Sequence, residues 1–145
     1  MLCIPPMLEP RSGHQLIQAN GCLYAIGGHS KNIEQFTPEL NEWKVVCELE
    51  HLSGSLSAVE RFDKILIVFD QKLASFDVLT KTFSILSEVP ALSKLFLFNN
   101  RVFIILEDGS IAEIDRDNKL LTENSLSNIK VTGRYFTVCL CKSNK

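Results

Sequence analysis

Apolar residues along the chain gather into short runs, each bounded by polar turn residues. Three runs are nearly continuous: Cys22 to Ile26, Ile65 to Phe69 and Val102 to Leu106. They are rich in branched and aromatic side chains, which suit strands buried on both faces. A polar turn precedes each: Asn20-Gly21, Phe62-Asp63 and Asn99-Asn100. Before each turn lies another strand candidate: His14 to Ala19, Leu56 to Arg61 and Lys94 to Phe98. No helical spacing of apolar residues competes with this pattern.

The runs belong to a repeat. Ile33-Glu34-Gln35-Phe36-Thr37, Leu73-Ala74-Ser75-Phe76-Asp77 and Ile111-Ala112-Glu113-Ile114-Asp115 all read apolar, two variable, apolar, then Asp or Thr, at spacings of 40 and 38 residues. Seven residues after the second apolar position stand Trp43, Phe83 and Leu121, each at the end of a turn leading into a last strand. Four strands in a unit of about forty residues is the signature of a β-propeller blade. The spacing predicts an all-β fold of about three four-stranded antiparallel blades, over about 14–50, 55–90 and 93–128. An extra C-terminal strand is expected over about 131–141, and the whole of 1–145 reads as one partial propeller. Asp77 and Asp115 are expected to bond backbone amides of the turn that follows.

Blade one carries more than a period. Pro10-Arg11-Ser12-Gly13-His14, then Gly21 to Gly28, Ile33-Glu34-Gln35-Phe36-Thr37-Pro38 and Asn41-Glu42-Trp43 together resemble the kelch repeat. Gly27 and Gly28 allow backbone conformations and close approaches that a side chain forbids. Trp43 is expected to plug the space between adjacent blades. WD repeats share the period but place Trp-Asp where this chain has Phe36-Thr37. The other blades are kelch-like by period and apolar pattern only: Phe69-Asp70 and Leu106-Glu107 replace the double glycine. Gly27, Gly28, Phe36, Trp43, Phe76 and Phe83 are the structural repeat positions.

The resemblance implies a protein-interaction module, most like the C-terminal kelch region of BTB-kelch proteins. There the propeller holds a substrate for ubiquitination, and a cullin-type ligase is recruited through regions absent from this chain. Binding to actin or cytoskeleton is the alternative, and an incomplete fragment without independent function a third. In kelch proteins partners dock on loops between second and third strands and between blades. Here those include Arg11, Ser12, His29, Ser30, Lys31 and Asn32. Three blades are fewer than the about six that close a kelch ring. An open array exposes a face around Phe36 and Trp43 and predicts self-association through open blade edges.

Composition narrows the chemistry. Formal net charge is -2, which suggests neither a nucleic-acid nor an anionic-membrane partner. Five cysteines in an odd set and the lack of an Asn-x-Ser/Thr sequon fit a reducing, cytoplasmic compartment. His14, His29 and His51 are dispersed, so no metal set is expected. Cys139 and Cys141 would share one strand face, but no second cysteine pair follows at zinc spacing. Gly54-Ser55 lies outside a nucleophile elbow, and Gly27-Gly28 is not a phosphate loop. Some kelch propellers hold copper through Tyr and His. This chain has only Tyr24 and Tyr135, with Tyr24 in a core strand. No cofactor and no catalysis are expected.

Overall fold

The computed structural model describes residues 3–50, 52 and 56–118, together with the backbone of strands at 120–121, 129–132 and 137–140. Blade one is an antiparallel sheet of β1 (His14–Ala19), β2 (Cys22–Gly27), β3 (Asn32–Thr37) and β4 (Glu42–Glu48). Blade two comprises β5 (Leu56–Arg61), β6 (Lys64–Phe69), β7 (Lys72–Asp77) and β8 (Thr82–Glu88). Blade three comprises β9 (Lys94–Phe98), β10 (Arg101–Ile105), β11 (Ile111–Ile114) and β12 (Leu120–Leu121). Within each blade the strands pair in chain order.

Two-residue turns set this register. Asn20-Gly21 and Asn99-Asn100 have positive φ at both positions, as tight hairpins require. Asp70-Gln71 does the same between β6 and β7, and Lys72 opens β7. A β-bulge recurs at one place in the repeat, between Ile33 and Glu34 in blade one and between Leu73 and Ala74 in blade two. The Asp77 carboxylate accepts the amides of Leu79 and Thr80, both at 2.9 Å. These bonds, the one from the Thr80 amide first, hold its pKa below the ordinary value.

Apolar side chains fill the space between blades. Ile17, Ala19, Tyr24, Ile26 and Ile33 meet Leu56, Ala58, Ile65, Ile67, Phe69, Ala74 and Phe76. On the other side of blade two, Leu66, Val68 and Leu73 meet Leu95, Val102, Ile104, Ala112 and Ile114. β6 therefore sends alternate residues into two cores, which is why its sequence is apolar without a break. First strands neighbour one another, β1 against β5 and β5 against β9. Ser57 stitches the second pair, taking the Leu95 amide at 2.9 Å and donating to its carbonyl at 3.3 Å.

Three expectations change. The turn after β11 is one residue shorter than in blades one and two, so Leu120, not Leu121, pairs with Ile114. The segment expected as one strand over 131–141 folds instead into a hairpin of β13 (Ile129–Thr132) and β14 (Thr137–Leu140). In the sequence Gly133-Arg134 breaks the apolar run, and Cys141, expected on one face with Cys139, lies outside the described residues, as does His51. Trp43 is not a plug between blades one and two. It packs on Phe36 of its own sheet with ring centroids 5.4 Å apart, on the face turned away from blade two.

Candidate functional site

Since Ile33 points at blade two, alternation puts Glu34 and Phe36 on the opposite face, which we call the front face of blade one. In blade two the same positions are Ala74 and Phe76, both packed on blade one. A carboxylate at position 34 therefore sits where the repeat calls for a small apolar residue. Glu34 is fully buried. A segment preceding β1, residues 3–12, crosses the front face and satisfies it.

The carboxylate accepts the amides of Leu8 at 2.7 Å and Glu9 at 3.3 Å. Arg11 adds a fork, Nε at 3.2 Å and Nη2 at 2.8 Å from the same Glu34 oxygen. The guanidinium also donates to the carbonyls of Gly27 at 2.8 Å and Asn32 at 2.7 Å. Neither charged side chain reaches solvent. A buried pair of this kind needs such neighbours, because Coulomb attraction alone does not offset desolvation. Further along, Glu9 takes hydrogen bonds from the Ser30 hydroxyl and, at 2.6 Å, from the Asn32 amide. Those bonds, with the nearby Arg11 charge, pull the Glu9 pKa down against a smaller opposing effect of burial. Trp43 donates its indole N–H to the Pro5 carbonyl at 2.8 Å. The face expected to lie open around Phe36 and Trp43 is thus largely closed: Phe36 is 5% exposed. Its inner and outer strands each keep an apolar residue in water, Leu16 at 52% and Val45 at 45%.

The double glycine belongs to this construction. Gly27 and Gly28 have φ of +80° and +72°. A Cβ on Gly27 would stand 2.2 Å from Leu56 Cδ2 of blade two, and one on Gly28 would stand 3.0 Å from the Cβ atoms of Arg11 and His14. The pair lets the crossing segment and the next blade close on the end of β2 together.

The six loop candidates divide in two. Arg11, Ser30 and Asn32 spend their polar groups inside, on Glu34, Glu9 and backbone carbonyls. Ser12, His29 and Lys31 are exposed beside them, and His29 holds a φ of +68°. The expected docking loops therefore offer a partner three side chains instead of six. Sequence reasoning missed Glu9 and Glu34. The available signal was the alignment of Glu34 with Ala74 and Ala112.

Polar groups also bridge the blades. Tyr24, 1% exposed, accepts from Lys81 Nζ at 2.9 Å, and burial pushes its pKa up to about 12. Arg61 of β5, 8% exposed, donates to the Ile114 carbonyl at 2.8 Å and to Asn118 Oδ1 at 2.6 Å in blade three. Among the described residues no group of three or more His, Cys, Asp or Glu side chains is placed to hold a metal ion. Among them, too, no helix is long and apolar enough to cross a membrane.

No protein-family model matches the chain. It is similar to Kelch-like protein 23 of Homo sapiens, 38% identical over 53 residues, covering 32% of this chain and 10% of that protein. Kelch-like protein 23 of Mus musculus is 37% identical over 51 residues, covering 30% of this chain and 9% of its own length. The match thus spans about a tenth of these relatives. In fold the chain is similar to the structure of YjhT, with a TM-score of 0.63 at 15% identity over 83% of this chain and 54% of that one. It is also similar to the N-terminal domain of Nup159, with a TM-score of 0.55 at 15% identity over 76% of this chain and 29% of that one. Over about a third of its length the chain is similar in sequence to Kelch-like protein 23, and in fold it is a partial β-propeller.

Proposed function

We propose that this chain is a non-catalytic protein-interaction module, part of a propeller that holds a protein partner. The observation that carries the reading is the use of its polar residues. Arg11 and Glu34 hold the crossing segment and Arg61 holds two blades together, while exposed side chains such as Ser12, His29 and Lys31 stand on loops at the ends of a packed scaffold. Rigid sheets with outward loops are a binding architecture. The likeness to Kelch-like protein 23 supports a finer reading, the substrate-holding part of a BTB-kelch ubiquitin-ligase adaptor working in the cytoplasm. On that reading the cullin-type ligase is reached through other regions of a longer protein. Self-association through the exposed inner edge at Leu16 is a further expectation of the same reading.

Cross-linking mass spectrometry on the chain expressed in cells tests the proposal. We expect one reproducible protein partner, cross-linked through loop or turn residues and retained after purification. Co-pelleting with actin filaments at micromolar concentration would replace the adaptor reading with the cytoskeletal one. No retained partner would remove the interaction reading altogether.

A further inference from the structure

At the end of the sheets where each first strand turns into its second, one turn carries an exposed aromatic residue. Phe62 occupies the first position of the turn between β5 and β6, where the sister turns carry Asn20 and Asn99. Its φ is +57°, a conformation that Asn tolerates and a bulky side chain resists. The ring is 68% exposed. Strain and apolar exposure combine here as they do at Leu92 between β8 and β9, and neither residue belongs to the inter-blade cores.

Phe62 borders a cleft of about 290 Å³, whose other apolar lip is Leu79, 60% exposed. Arg61 forms the floor. Its guanidinium is buried and meets only neutral oxygens, while Glu113 and Asp115 act on it from a distance. Arg116 stands at the mouth, exposed, with no hydrogen-bond or ion-pair partner among the described residues. Glu113 is held by Arg101 and does not answer Arg116. Lys64 lines the cleft with Asp77, whose carboxylate caps its own turn, and with Asp63. Three cations therefore face two carboxylates in the cleft.

We propose that this cleft, at the turn end of the junction between blades two and three, docks a peptide segment that pairs one acidic side chain with an apolar neighbour. The acid meets Arg116 with Arg61 behind it, and the apolar side chain lies against Phe62 and Leu79. Arginine and exposed aromatic residues are the usual anchors of protein interfaces. The exposed Arg116 suits a single carboxylate, while Asp63 and Asp77, with Glu113 and Asp115 nearby, oppose a polyanion such as nucleic acid. The proposal rests on the interaction-module reading and places its surface away from Ser12, His29 and Lys31.

A random-peptide display selection on the full chain, followed by fluorescence anisotropy with the enriched peptides, tests it. We expect peptides with Asp or Glu beside Leu, Phe or Met. Binding should fall at least tenfold with Phe62→Asn and with Arg116→Glu, and less than threefold with Arg116→Lys. Phe62→Asn should melt at or above the temperature of the unmodified chain, because Asn suits the turn. Enriched peptides that bind both variants unchanged and are lost with His29→Ala or Lys31→Ala would overturn the site and leave the interaction module standing. Failure to enrich any peptide would overturn both.

Discussion

Blades one and two present the same backbone to whatever lies in front of them, yet the two front faces are closed by opposite means. In blade two, Phe69, Ala74, Phe76 and Phe83 form an apolar surface against blade one. In blade one the positions matching Ala74, Phe76 and Phe83 are Glu34, Phe36 and Trp43, and a single extended segment covers them. Apolar surface packs well only against more apolar surface, so blade two needs a whole sheet in front of it. One extended segment brings chiefly backbone groups that must be hydrogen-bonded. A carboxylate that accepts two amides and a guanidinium is what such a cover requires. The lesson is that one strand position can be filled by Ala or by Glu, according to whether a sheet or a lone segment faces it.

The largest effect should come from removing the polar centre. Glu34→Ala makes position 34 like Ala74 but strands Arg11 and two amides, so we expect a loss of about 3–5 kcal/mol in urea unfolding. Hydrogen exchange at Leu8 and Glu9 should lose its protection in the same variant. A change under 1 kcal/mol would mean that the segment needs no carboxylate, and the contrast with blade two would lose its energetic basis.

A smaller effect separates conformation from contact at the double glycine. Gly27→Ala should cost roughly 1–3 kcal/mol, because it adds a clash with Leu56 to an unfavourable φ. Gly109→Ala is the control: its φ is +82°, with no atom within 4 Å of a new Cβ. It should cost less, and equal losses in thermal melts would show that conformation alone accounts for Gly27.

The mildest perturbation is acid. Glu9 has a folded pKa below its ordinary 4.5, so its contribution is present above that value and fades as pH falls through the lower folded one. The crossing segment should then loosen below about pH 4.5 while the apolar junctions hold. Trp43 is the single tryptophan and bonds Pro5, so its emission should move before the far-ultraviolet circular dichroism does. Coincident transitions would mean that the segment and the blades unfold as one unit.

Much of the fold was legible because it is local. Alternation, branched residues and turn pairs such as Asn20-Gly21 and Asn99-Asn100 fix strands and hairpins over a few residues. The repeat of Phe36 and Phe76, and of Trp43 and Phe83, fixed the blades. The site was legible only in part. Arg11, Ser30 and Asn32 are the residue types that loops offer to partners, and nothing nearby in sequence shows that Glu9 and Glu34 consume them.

The chain by itself therefore determined an all-β repeat, the place of the first and second strands of each blade, and the glycines at the end of β2. Tertiary structure decided which face Glu34 occupies, what lies over Trp43 and where Arg61 points. It also decided that blade three pairs Leu120 with Ile114. The division has one physical cause. Strand and turn energies depend on neighbours along the chain, while the state of a buried charge depends on partners that only packing brings within hydrogen-bond distance.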